Sequence, residues 1–300
     1  MIEIREILYP TDFSETSRHA LDHAVVIAKW YEARITALHV RRAPLFPPPP
    51  ILAAGFADAA PPAMPNYREC EEELRALLEP ARRAGIELQV CIEEGTAART
   101  ILDYAHSRHS DLIVIGTHGL GGFERLMLGS VAEKVLRNAT CPVMIVPPAV
   151  ETASKVPYTR LVCPVDFSDS SLAALRFAFS LAEEADGDLT ILNVVDWPPD
   201  DELLVERFDG PEFRRVVEAQ ARDRLEALIT SDMRVWCKPV TMLAFGKPYR
   251  EILNIAEKQQ SDLIVMGIHG RNPVDLTLFG STTNHVVRRA KCPVLTLKPL

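Results

Sequence analysis

Two aspartates, Asp12 and Asp166, stand in the near-identical runs PTDFS and PVDFS, each directly after an apolar, strand-like stretch. A carboxylate there can accept hydrogen bonds from a base amine or a ribose hydroxyl, because open α/β sheets bind ligands beyond the carboxyl ends of their strands. It can also simply cap the helix that follows. A second pair of segments, GTHGLGGFERLMLGS at 116–130 and GIHGRNPVDLTLFGS at 267–281, shares Gly-x-x-Gly, nine residues, then Gly-Ser. Each follows an apolar run, DLIVIG or DLIVMG, and each leads through a helical pattern to Cys-Pro-Val. A strand that stops at a glycine loop and restarts as a helix suits phosphate. Glycines admit the anion close to the backbone, and the free N–H groups of the helix start supply donors and a favourable dipole.

Ser130 and Ser281 follow the closing glycines. Either hydroxyl can bond a phosphate or cap its helix. Ser130 has Glu133 three residues on, the capping-box pattern, whereas Ser281 has Asn284. A bound anion would lie close to the Glu133 charge. His118 and His269 sit inside the loops and read as borders of a phosphate site, since no H-x-x-x-H cluster accompanies them to hold a metal. The chain has no G-x-x-x-x-G-K-[ST], no G-x-S-x-G, and no G-x-G-x-x-G after either first strand. P-loop hydrolysis, nucleophilic hydrolysis and Rossmann dinucleotide binding therefore lack their signatures.

The elements that must position these residues occur twice, offset by roughly 150 residues, one whole domain rather than a solenoid unit. Strand-like runs at 4–10, 33–40, 86–94, 111–116 and 142–147 alternate with helical patterns near 16–31, 67–84, 97–109 and 130–138. LVCPV, LTILNVV, VWCKPVTMLA, DLIVMG and PVLTLK repeat the strand order in the second half. Nearly continuous apolar strands alternating with helices predict a doubly wound parallel sheet. Ser14 or Thr16, and Ser168 or Ser170, are candidate N-caps. We expect two stacked α/β domains, 1–150 and 151–300, with a linker near 147–158 and the last strands close together between them.

The halves differ most after their second strands. Residues 43–65 are proline-rich and apolar, fit for a protein partner or for a loop folded over its own domain. Their counterpart, 196–211, is acidic and is expected to be partly helical. With 47% hydrophobic and 25% charged residues, the composition is that of a globular chain able to build a full core. A net charge of −8 argues against nucleic acid or an anionic membrane as partner. No apolar run approaches the ~20 residues of a membrane span. The start MIEIREILYP lacks a signal-peptide layout, and six cysteines lack C-x-x-C spacing, with Cys91, Cys141, Cys163 and Cys292 in apolar contexts. A cytoplasmic location with reduced thiols is the expectation.

The paired aspartates, the two G-x-x-G-x₉-G-S loops and the closing CPVMIVP and CPVLTLKP runs together resemble the universal stress protein family in its tandem form, over nearly the whole chain. The resemblance implies five-stranded parallel α/β domains that bind ATP, or ADP or AMP, with Mg2+ as a companion of the phosphates. It implies adenine contacts from Asp12 and the Val40 backbone, with Pro10 and Thr11 beside the base. Ribose and phosphates would meet Ile115, Gly116, Gly119, Gly129, Ser130 and Val131. The matching second-half positions are Pro164, Val165, Asp166, Val194, Met266, Gly267, Gly270, Gly280, Ser281 and Thr282. The second loop departs from the first: Gly121-Gly122 become Asn272-Pro273, and Arg125 becomes Leu276. The first site is accordingly expected to be at least as tight. The family also forms dimers through last strands, a contact that a tandem chain can satisfy internally. The implied role is nucleotide sensing or regulation. Slow ATP hydrolysis or phosphotransfer, and a scaffold with structural nucleotide, are the alternatives.

Overall fold

The computed structural model of the chain describes residues 2–41, 66–117, 128–148, 158–196, 211–269 and 280–298. The proline-rich arm, most of the acidic 196–211 segment, most of the 147–158 linker and the interiors of both glycine loops lie outside the described residues.

In the first half β1 (Glu6–Pro10), α1 (Glu15–Tyr31), β2 (Arg34–Arg41), α2 (Tyr67–Arg83), β3 (Leu88–Glu94), α3 (Ala97–Ser107), β4 (Leu112–Gly116), α4 (Ser130–Asn138) and β5 (Val143–Val146) follow one another. The second half runs β6 (Arg160–Pro164), α5 (Asp169–Ala185), β7 (Asp188–Val195), α6 (Pro211–Glu226), α7 (Ser231–Trp236), β8 (Lys238–Phe245), α8 (Pro248–Lys258), β9 (Leu263–Gly267), α9 (Ser281–Arg289) and β10 (Val294–Leu297). The sheet order is β3-β2-β1-β4-β5-β10-β9-β6-β7-β8. Each half is parallel, and its order reverses between β1 and β4, or between β6 and β9. That reversal opens a crevice at the strand ends, with Asp12 or Asp166 on one bank and Gly116 or Gly267 on the other.

The last strands meet as expected, but the two sheets do not stack as separate layers. β5 and β10 pair antiparallel, Met144 opposite Leu295, and join them edge to edge into one ten-stranded sheet. The physical reason is the edge itself. Two short apolar strands, each buried along its length, would otherwise present unpaired backbone groups. Alternation along the strands sends Ile7 and Tyr9 to one layer and Leu8 to the other, and both layers run through the two halves. Across the seam, His23 Nδ1 lies 2.5 Å from the Tyr158 hydroxyl, and the Tyr31 and Ser180 hydroxyls are 2.9 Å apart. Thr296 Oγ1 donates to Val143 O at 3.1 Å, and Lys298 Nζ donates to Arg137 O at 2.9 Å. Burial, with a smaller contribution from His19, lowers the His23 pKa to about 4, so the ring is neutral in the folded seam.

One strand begins later than expected. Val235 and Trp236, read as the start of a strand, end the short helix α7 instead. Thr230 Oγ1 accepts from Met233 N at 3.3 Å, Met233 is buried, and Val235 and Trp236 are left 71% and 57% exposed. A cap and one buried anchor outweigh the strand propensity of the pair. All six cysteines are free thiols. Cys163 and Cys292 are deeply buried, and burial pushes the Cys292 thiol up to about 12, which keeps it inert. Cys91 and Cys141 are only half-buried. No described helix is long and apolar enough to cross a membrane.

Candidate functional site

The turn after the first strand is built alike in both halves. Thr11 N donates to Leu38 O at 2.9 Å, and Val165 N donates to Leu192 O at 2.7 Å, which carries the strand pairing one residue past β1 and β6. Asp12 Oδ1 then accepts from Ser14 N at 3.1 Å, and Asp166 Oδ1 accepts from Ser168 N at 3.1 Å and Ser168 Oγ at 2.6 Å. The caps are the serines. Ser14 Oγ accepts from Ser17 N at 3.2 Å, and Ser168 Oγ accepts from Ser171 N at 3.3 Å. Of the candidate caps, Ser14 and Ser168 therefore serve, and Thr16 and Ser170 do not. The half-buried aspartates close the turn that presents them and do not cap the helices.

Between each aspartate and its serine stands a phenylalanine in the left-handed region, Phe13 at φ 66° and Phe167 at φ 65°. A bulky residue there costs of order 1–3 kcal/mol and persists only where the surroundings enforce it. The same outlier at the same place twice marks a constrained loop. The sequence carried no sign of it, because glycine is the residue that announces positive φ. The neighbouring strand supports the turn with unlike side chains. His39 Nδ1 lies 2.9 Å from Thr11 O, and Asn193 Nδ2 donates to Val165 O at 2.7 Å.

On the opposite bank, Gly116 and Gly267 end β4 and β9. What makes glycine necessary there is the adjacent helix. A Cβ on Gly116 would come within 3.0 Å of Thr16 O, and one on Gly267 within 2.8 Å of the Ser170 carbonyl carbon and Ser171 N. These two glycines therefore let the first turn of α1 or α5 lie against the strand end, a packing role beside any ligand role. Each loop closes on a backbone bond, Gly129 N to Thr117 O at 2.7 Å and Gly280 N to Ile268 O at 2.9 Å.

Gly129 and Gly280 are the N-caps, and Ser130 and Ser281 are the first helical residues, without a side-chain cap bond. The capping box expected of Ser130 and Glu133 is therefore absent, since the box needs its serine one position earlier. Glu133 faces cations instead, Arg137 Nη2 at 3.1 Å and Arg288 Nη2 at 2.9 Å across the seam. Those guanidiniums offset the charge that would oppose an anion at the start of α4. The N–H groups of Ser281, Thr282 and Thr283 meet no acceptor among the described residues, as a helix N-terminus leaves them.

These features converge in the second half on a cavity of about 220 Å³. Pro164, Val165 and Asp166 line one side, Val194 the next strand, Met266, Gly267 and His269 the end of β9, and Gly280, Ser281 and Thr282 the start of α9. Gly270 lies outside the described residues. Ser171, Leu192, Pro248, Ile252 and Thr283 also line it and were not anticipated. Thr283 Oγ1 donates to Gly267 O at 3.0 Å and ties α9 to β9. The signal for Pro248 and Ile252 was legible: a proline opening an amphipathic helix directly after an apolar strand. In the first half Pro10, Thr11, Asp12 and Val40 occupy the matching bank, and Ile115, Gly116, Gly129, Ser130 and Val131 the other. His118 and Gly119 lie outside the described residues.

A family model described as the universal stress protein family matches residues 3–147 and again 157–298. The chain belongs to the universal stress protein family. It is 28% identical to a universal stress protein of Mycolicibacterium smegmatis over 311 aligned positions, covering 98% of this chain and 97% of the relative. A universal stress protein of Methanocaldococcus jannaschii is 37% identical over 142 residues, 47% of this chain and 81% of the relative, as a single-domain member aligned with a tandem one would be. Among solved structures, a universal stress protein from Archaeoglobus fulgidus superposes with a TM-score of 0.71 at 23% identity, covering 98% of each chain, which establishes a common fold. In this tandem universal stress protein the paired matches correspond to the two five-stranded halves that β5 and β10 join.

Proposed function

We propose that this universal stress protein binds an adenine nucleotide, ATP or its di- or monophosphate, in each half, and that binding rather than turnover is its function. One observation carries the reading: the cavity at the β6–β9 reversal is bounded by the Asp166 carboxylate and by the first residues of α9, whose N–H groups meet no acceptor among the described residues. An acceptor for a base amine and a set of anion donors, separated by an apolar floor of Leu192, Val194, Ile252 and Met266, match the ends and middle of a nucleotide. Asp166 and the Val194 backbone would hold the base, and Gly280, Ser281 and Thr282 the phosphates. Asp12, Val40, Gly129, Ser130 and Val131 would do the same in the first half. Mg2+, when bound, would accompany the phosphates.

Regulation follows if nucleotide favours one conformation or oligomeric state over another, because a ligand shifts such an equilibrium only by its differential affinity. The test is titration calorimetry with ATP on protein stripped of bound nucleotide, alongside steady-state hydrolysis. Binding with turnover far below the ~1–10³ s⁻¹ of dedicated enzymes is the expected result. Turnover near one per second that vanishes in the Ser130→Ala, Ser281→Ala double variant would contradict it, as would failure to bind any adenine nucleotide.

A further inference from the structure

Helices α8 and α9, which both contribute residues to the lining of the second cavity, carry a side-chain cluster that the first half lacks. The Tyr249 and His285 rings stack with centroids 4.4 Å apart, and the guanidiniums of Arg250 and Arg289 lie 5.7 and 5.5 Å from the Tyr249 ring. Arg250 Nε also donates to the Tyr249 hydroxyl at 2.9 Å. A hollow beside the cluster is lined by Asn284, His285, Arg288 and Arg289. Arg288 is already engaged by Glu133 and Asn284, but neither Arg250 nor Arg289 meets a carboxylate among the described residues. Two unneutralised guanidiniums on a chain of net charge −8 are an electrostatic resource for an anion. The hydrogen bond from Arg250, with smaller contributions from the charges of Arg250 and Arg289, holds the Tyr249 phenol below its ordinary pKa.

Placement connects the cluster to the cavity. Pro248 and Ile252 line the cavity, and Tyr249 shares a helix face with Ile252. His285 stands one turn beyond Ser281 and Thr282 on α9, and Arg289, the last residue of that helix, about two turns beyond them, with its guanidinium brought back to the Tyr249 ring. In the first half the matching residues are Ala98, Arg99, Lys134 and Asn138, and Arg99 is paired with Asp103 at 3.6 Å. The second loop, moreover, has Leu276 where the first has Arg125.

We propose that Arg250 and Arg289, braced by Tyr249 and His285, form an anion surface that receives the outer phosphates of a nucleotide held in the second half. They thereby make that site selective for triphosphate over monophosphate. The proposal rests on the nucleotide reading above. Guanidiniums held against aromatic faces are oriented before the anion arrives, and charge-assisted bonds to phosphate are the strong ones.

The test compares ATP, AMP and inorganic tripolyphosphate by calorimetry on the full chain and on its Arg250→Gln, Arg289→Gln variant. The expected result is that one of two ATP affinities falls by about tenfold or more while AMP is unaffected, with the difference shrinking at high salt. Unchanged ATP affinity, or equal losses for ATP and AMP, would overturn it. If the unaltered chain binds neither nucleotide, the nucleotide reading fails on its own, and tripolyphosphate decides the cluster. Binding that the variant abolishes supports the anion surface, and no binding overturns it too.

Discussion

The two halves of this chain share the hydrogen-bonded frame of the turn after the first strand and differ in the side chains set around it. Both have an aspartate closing a turn on a serine amide, a left-handed phenylalanine, a serine cap and a strand-end glycine under a helix. The supports around that frame differ: His39 against Asn193, Lys134 against His285, Asn138 against Arg289, and Ala98 against Tyr249. A duplicated fold holds the shape of its two crevices through local hydrogen bonds and close packing. What each crevice prefers is then set by side chains that can change without moving the backbone. Equivalent sites therefore need not have equal affinities.

The sharpest way to break this comparison is at the strand-end glycines. Gly267→Ala would bring a Cβ to within 2.8 Å of Ser170 and Ser171 backbone atoms, whereas Gly116→Ala meets Thr16 at 3.0–3.1 Å. Urea denaturation should show the former losing about 3 kcal/mol and the latter about 1 kcal/mol, as overpacking of different severity predicts. Equal losses would mean that the two helices approach their strands alike.

Acid sensitivity sharpens the contrast next. His23 occupies the place of Phe177 in the repeat and is held neutral in the seam with a pKa lowered to about 4. Between about pH 6.5 and that value the unfolded chain binds more protons than the folded one. Stability therefore rises with pH through this window and is lost as pH falls, by about 3 kcal/mol in all. His23→Phe, which copies the second half, should flatten this part of the stability–pH profile in thermal melts. An unaltered slope would place the acid sensitivity elsewhere.

A smaller effect is expected at the aspartates. Asp12→Ala and Asp166→Ala should each weaken one nucleotide site by about ten- to thirtyfold, the worth of a charged hydrogen bond. Calorimetry should show the other site unchanged in each case. The smallest effect belongs to Glu133, whose bridge to Arg288 joins the helices that begin at the two glycine loops. Glu133→Gln should cost about 1 kcal/mol or less, since the pair is partly exposed.

Much of this was legible in the sequence, for physical reasons. The first helix, expected near 16–31, is Glu15–Tyr31, and the strand expected at 111–116 is Leu112–Gly116, because periodicity and burial agree there. The crevice residues of the second half were legible because two motifs at the ends of β6 and β9 must meet at a topological reversal. Other features depended on contacts that no local pattern encodes. The Tyr249–His285 stack joins helices far apart in sequence. Phe13 and Phe167 adopt positive φ without being glycine. The joining of β5 to β10 depends on the geometry of two edges, and Val235 and Trp236 went to a helix because Thr230 could cap it.

The central claim, that each half holds one adenine nucleotide, is tested most directly by native mass spectrometry of the purified chain titrated with ATP. The account predicts two bound nucleotides per chain, with the occupancy curve of one shifted about ten- to thirtyfold to higher ATP by Asp12→Ala or by Asp166→Ala, and of both by the two together. A single nucleotide in the unaltered chain, or two that fill the double variant at the same ATP concentrations, would contradict it.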